Sequence, residues 1–128
     1  MKRYLPAIMV IISVITIISG LTQLFLPGFV LGAIGAETDP LADHFFRIIG
    51  MFMALFGGLL LHTVYNAVPA RAAVVWCTLQ KLGAAAMVGI AVWNGLFSQL
   101  ALGVAAFDLL SALLLFSYFN YLGRYESA

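Results

Sequence analysis

Residues 5–26 read LPAIMVIISVITIISGLTQLFL, and how this run meets the solvent around it decides the fold. Hydrocarbon about 30 Å thick is crossed by a helix of roughly 20 mostly apolar residues, and this run is long enough. A membrane strand would alternate apolar and polar side chains, which Met9-Val10-Ile11-Ile12 does not do. A helix also closes its own backbone hydrogen bonds, as a medium without water demands. Lys2 and Arg3 precede the run as they would in a signal peptide. The run is longer than the apolar core of such a leader, however, and no small-x-small cleavage site follows it, so it is read as a retained anchor.

Three more runs of the same kind follow. The expected helices cover residues 5–26, 40–66, 71–98 and 100–121, all in one integral membrane domain spanning 1–128. Composition agrees: 64% of the 128 residues are hydrophobic and 9% are charged, with a mean hydropathy of +1.10. Soluble domains carry roughly 45–50% apolar and about 25% charged residues. This contrast excludes an ordinary soluble enzyme and a disordered tail. A net charge of +1 gives nucleic acid nothing to bind. The single cysteine, Cys77, rules out an internal disulfide and reads as a buried structural thiol.

The connections give direction. Pro27-Gly28 stops the first helix, and the apolar stretch after it is too short to span. Residues 27–38 are therefore expected to form an interfacial or re-entrant loop. Asp39 is a good N-cap and Pro40 a good first residue for the second helix. Short turns near Pro69 and Gln99 force neighbouring helices to run in opposite directions, which gives an all-α, up-down-up-down bundle of four transmembrane helices. Lys2, Arg3, Arg71 and Arg124 fall on one side, and Glu37, Asp39 and Asp43 on the other. The positive side is cytoplasmic, so both termini are expected there. Trp76 and Trp93, near opposite ends of the third helix, suit the two interfaces.

Ionisable residues within a span cost at least about 2.5–3.5 kcal/mol at its centre and face the bundle interior. Three stand out: Arg47, Lys81 and Asp108. At 1.5 Å per residue, Lys81 lies roughly 15 Å from the start of its helix and Asp108 roughly 12 Å from the start of the next. A Lys81–Asp108 pair near the midplane follows. Arg47, about one turn further out, is also placed to reach Asp108. Two cations and one anion leave a positive charge to be met by Asp43, by an anionic ligand or lipid headgroup, or by an uncharged Lys81. The plain alternatives are that Arg47 snorkels outward and pairs with Asp43, and that Lys81–Asp108 is a structural clamp.

Each helix carries a small or polar stripe. These are Ser13, Thr16, Gly20 and Gln23 on the first; Lys81, Ala84, Ala85 and Val88 on the third; Ala101, Asp108 and Ala112 on the fourth. On the second, Gly50, Ala54 and Gly58 form a small-xxx-small ridge that lets a neighbouring backbone approach closely. Tyr65, with His62 and Asn66, makes a polar mouth at one membrane face. His44 and His62 read as interfacial hydrogen-bonding residues, and Gln80, Asn94 and Gln99 as interhelix ones. No metal-ligand or nucleophile motif is present in the sequence.

The stretch Arg47-Ile-Ile-Gly50-Met-Phe-Met-Ala-Leu-Phe-Gly57-Gly58-Leu-Leu-Leu, with Lys81-Leu82-Gly83 and Asp108, resembles the DoxX-like group of small bacterial four-helix membrane proteins. It departs from the group at Met51, where a second glycine is usual, and at Asp108, where Glu is commoner. The resemblance implies a multi-pass protein of the bacterial inner membrane with Arg47 and Asp108 facing inward. Some members of that group are subunits of membrane oxidoreductases that pass electrons to quinone.

Three functions are weighed. The first, and the favoured one, is an accessory or structural subunit, partnered by the lipid bilayer and by a membrane protein or further copies of itself. The second is a binder or carrier of a small anionic or quinone-like ligand, or of a proton, at Arg47, Lys81 and Asp108 with Asp43 and Tyr65. The third, an intramembrane enzyme, is the least favoured. No cofactor is predicted, with quinone or lipid as the open options.

Overall fold

In the computed structural model residues 4–126 are described, and they form five helices. These are α1 (Leu5–Phe25), α2 (Pro27–Ala33), α3 (Pro40–Tyr65), α4 (Arg71–Trp93) and α5 (Ala101–Glu126). Four of them, all but α2, are long and apolar enough to cross a membrane. Among the described residues there is no strand.

Local chemistry sets the ends. Proline stands in the first turn of α1, α2 and α3, where a missing N–H costs nothing. Asp39 caps α3 by accepting a hydrogen bond from Ala42 N at 2.8 Å. Asp39→Ala is expected to lower stability by about 1 kcal/mol, read as an earlier thermal transition in detergent with helix content unchanged.

Two boundaries differ from the sequence expectation. The third long helix stops at Trp93 rather than 98. Gly95 has φ +75, with Gly95 N bonded to Val92 O and Leu96 N to Ala91 O. This is the Schellman closure that a left-handed glycine permits. The apolar loop at 27–38 contains α2, closed in the same way at Gly35, with φ +71. A span-length criterion misses a seven-residue helix, because it is far shorter than the bilayer requires. The last helix also runs past 121, since Leu122 still packs into the core.

α1 packs chiefly along α3, and α4 along α5. Rising numbers on α1 meet falling numbers on α3: Gln23 Nε2 donates to Phe46 O at 2.9 Å, and Gly57 lies against Ser13 and Ile17. Three storeys result. An apolar core of Met9, Ile12, Leu60, Val74, Leu115 and Tyr118 fills one end. A polar layer of Ser13, Thr16, Lys81, Asp108 and Ser111 is buried above it. At the other end, α2 is tied to the α4–α5 turn by Ser98 N donating to Ile34 O at 2.7 Å. Outside, large apolar residues such as Ile11, Ile18, Leu55, Leu79 and Leu113 are exposed along every long helix. Hydrocarbon suits such a surface and water does not.

The glycine ridge differs by one residue from the expectation. A Cβ on Gly50 would lie 2.6 Å from Gly20 O, and one on Gly20 would lie 2.6 Å from Gly50 O and Ala54 N. The third contact is made by Gly57, while Gly58 has open space around its Cα. Seven residues close two helical turns to within about 20°, whereas eight overshoot by about 80°. The seam therefore follows 50, 54, 57, and Gly58 turns away.

Candidate functional site

Lys81 and Asp108 are brought together by the pairing of α4 with α5. Lys81 Nζ donates to Asp108 Oδ1 at 3.3 Å and to Thr16 Oγ1 at 2.7 Å, and lies 5.1 Å from the centroid of the Phe107 ring. Lys81 is 3% exposed, Asp108 7% and Thr16 2%. The ammonium thus has a carboxylate, a hydroxyl and an aromatic face around it, contributed by three helices. Asp108 is less completely matched. Its Oδ2 has no hydrogen-bond partner among the described residues.

Asp108 also forms part of the wall of a cavity of about 410 Å³. The cavity exists because α3 and α4 meet only along part of their length. They approach where Cys77 Sγ lies 3.7 Å from Phe56 O and where Ala70 N donates to Thr63 Oγ1 at 2.6 Å. Towards the α2 end the space between them is lined by Ile49 and Met53 of α3 and by Gln80, Ala84 and Val88 of α4. Val30 of α2, Ile34 just after it and Phe97 of the α4–α5 turn border its far end. The small side chains at Ala84, Ala91 and Ala101 leave the room. Three polar residues reach this otherwise apolar lining: Gln23, Gln80 and Asp108. Gln23 already uses its Nε2 on Phe46 O.

The other expected site residues lie elsewhere. Arg47 is exposed and donates from Nη1 to Leu24 O at 2.9 Å. It reaches neither Asp108 nor Asp43, whose Oδ1 instead accepts a hydrogen bond from Thr38. The cause is register. Along α1, Arg47 is level with Leu24 and Lys81 with Thr16, and the intervening residues span roughly 12 Å. That is two turns, where depth along the sequence predicts one, because the register of α1 on α3 sets Arg47 beside Leu24. Tyr65 is 74% exposed at the far end of α3. His44 and His62 are exposed and well apart. Among the described residues, no group of three His, Cys, Asp or Glu is placed to hold a metal ion.

Sequence reading missed Gln80 as a cavity residue, whereas Gln23 already stands in the polar stripe of the first helix. Gln80 reads as an interhelix tie, yet its amide makes no hydrogen bond among the described residues and borders the cavity. The available signal was the small-residue spacing Gln80, Ala84, Ala91 on the face of α4 beside Lys81. Comparison of the chain with protein-family profiles, with curated proteins and with solved structures finds no match.

Proposed function

We propose that this chain is a multi-pass membrane protein that binds a small, largely apolar molecule in the cleft between α3 and α4. The observation that carries this reading is the cavity of about 410 Å³, apolar except for a buried carboxylate with an open oxygen and two amides. Small-molecule sites have volumes of about 300–1,000 Å³, apolar walls and a few placed polar groups. The cleft lies between two long apolar helices, so a ligand dissolved in the bilayer reaches it sideways. The four long helices cross in alternate directions in this proposal. Both termini are cytoplasmic, because Arg71 and Arg124 lie at one end and Glu37, Asp39 and Asp43 at the other. A place in the bacterial plasma membrane and kinship with the DoxX-like group belong to the same proposal. An accessory-subunit role is favoured by the short connections between helices and by the lack of a catalytic motif or soluble domain in the sequence, which do not account for the cavity. The anionic ligand considered from sequence is not carried forward, because neither Arg47 nor Lys81 borders the cavity.

Ala84→Phe places a ring into the cleft from α4. Native mass spectrometry after extraction in mild detergent is the test. The wild type is expected to retain a bound small molecule and the variant to lose it, with equal helix content and melting. Identical adducts on both proteins, or none on either after incubation with a bacterial lipid extract, would overturn the reading.

A further inference from the structure

We propose that the cleft selects an uncharged amphiphile whose head is a hydrogen-bond donor, a phenol or an aliphatic alcohol. This rests on the reading of the cleft as a binding site and adds the chemistry of what it holds. The first ground is the polar inventory. An ionised carboxylate only accepts hydrogen bonds, and Asp108, a residue of the cavity wall, has no partner for Oδ2 among the described residues. Gln23 spends one amide N–H on Phe46 O and keeps its carbonyl oxygen and second N–H for a guest. Gln80 is the third polar residue of the lining, able to donate or accept. The carboxylate alone can only accept and so asks for a donor, and both amides can adapt to one.

The second ground is charge. Lys81 and Asp108 neutralise one another 3.3 Å apart. A charged head of either sign would add an uncompensated charge to a low-dielectric site, at a cost of several kcal/mol in general. An anion would find no cation, since Lys81 lies behind Asp108 against Thr16 and Phe107 and does not border the cavity. A cation would compete with Lys81 for the same carboxylate. A hydroxyl has neither problem. It donates one charge-assisted hydrogen bond to Oδ2, and its apolar remainder lies along Met53, Val88 and Ile34. A site that hydrogen-bonds a hydroxyl rejects the analogue that lacks it, because its own buried group is left unpaired.

The test uses the full chain in nanodiscs of neutral lipid, titrated calorimetrically against empty nanodiscs. The probes are para-octylphenol, its methyl ether, para-octylbenzoate and para-octylbenzylammonium. The phenol is expected to bind at least about tenfold more tightly than the ether, as loss of a hydrogen bond to a charged group implies, and more tightly than either charged probe. In the double variant Lys81→Met with Asp108→Leu, which removes both charges together, the phenol-to-ether ratio is expected to fall to about one. Equal binding of phenol and ether to the wild type overturns the donor-head assignment and leaves the cleft standing. Tightest binding of the ammonium or the benzoate overturns it in favour of a charged ligand. Binding of none of the four overturns the cleft reading itself.

Discussion

Lys81→Met alone is expected to destabilise the protein by about 3–5 kcal/mol, the cost of leaving one partner of a buried pair uncompensated. Asp108→Leu alone is expected to be at least as harmful, because the ammonium then keeps only Thr16 Oγ1 and the Phe107 ring. The double variant is expected to recover most of either loss. Replacing both members of a buried ion pair with apolar side chains of similar volume is often neutral or better. The reasoning depends on burial: Lys81 is 3% exposed and cannot reach water without moving a helix. Reversible unfolding of the three variants in mixed micelles gives the coupling energy directly. Losses that simply add would show that Lys81 and Asp108 do not sense each other, and would remove the polar layer from the account.

The second large effect lies at the α1–α3 seam. Gly50→Val and Gly20→Val each drive a side chain into backbone, since even a Cβ would approach the facing carbonyl to 2.6 Å. Overpacking of well-fitted contacts costs about 1–3 kcal/mol and occasionally more, and backbone cannot step aside as a flexible side chain can. Separation of α1 from α3 also moves Thr16 from Lys81 and Gln23 from the cleft, so ligand retention is expected to fall with stability. Gly58→Ala is the control. Its surroundings are open, and replacing glycine by alanine inside a helix gains up to about 1 kcal/mol. Unfolding that is equally impaired in Gly50→Val and Gly58→Ala would restore the 50, 54, 58 ridge read from sequence.

Much of the architecture was legible because bilayer thickness imposes length. Four apolar runs gave the four long helices, and Asp39-Pro40 gave the start of α3 to the residue. Two things were not legible for physical reasons. A span criterion is blind to α2, a single short helix closed by a Schellman turn at Gly35, and to the end of α4 at a second such turn at Gly95, although both glycines stand in the sequence. Depth along a helix also says little about which neighbour a long side chain meets. Lys81 and Asp108 share a level and a helix pair, and their meeting follows from spacing. Arg47 shares neither, because the register of α1 on α3 places it beside Leu24. The cavity is a further step removed. It depends on where α3 and α4 separate, beyond the contacts of Cys77 with Phe56 and Thr63 with Ala70; the helix stripes supply lining residues such as Gln23, Ala84 and Asp108 but not the gap between the helices. Gln80 looked like glue between helices for that reason.

The most direct measurement is a density map of the full chain, extracted with its native lipids into nanodiscs. An elongated feature between α3 and α4 is expected, its polar end within hydrogen-bonding distance of Asp108 Oδ2 and its tail against Met53 and Val88. A map in which α3 and α4 are packed side by side along their whole length, with Asp108 sealed from any cavity, would contradict the account.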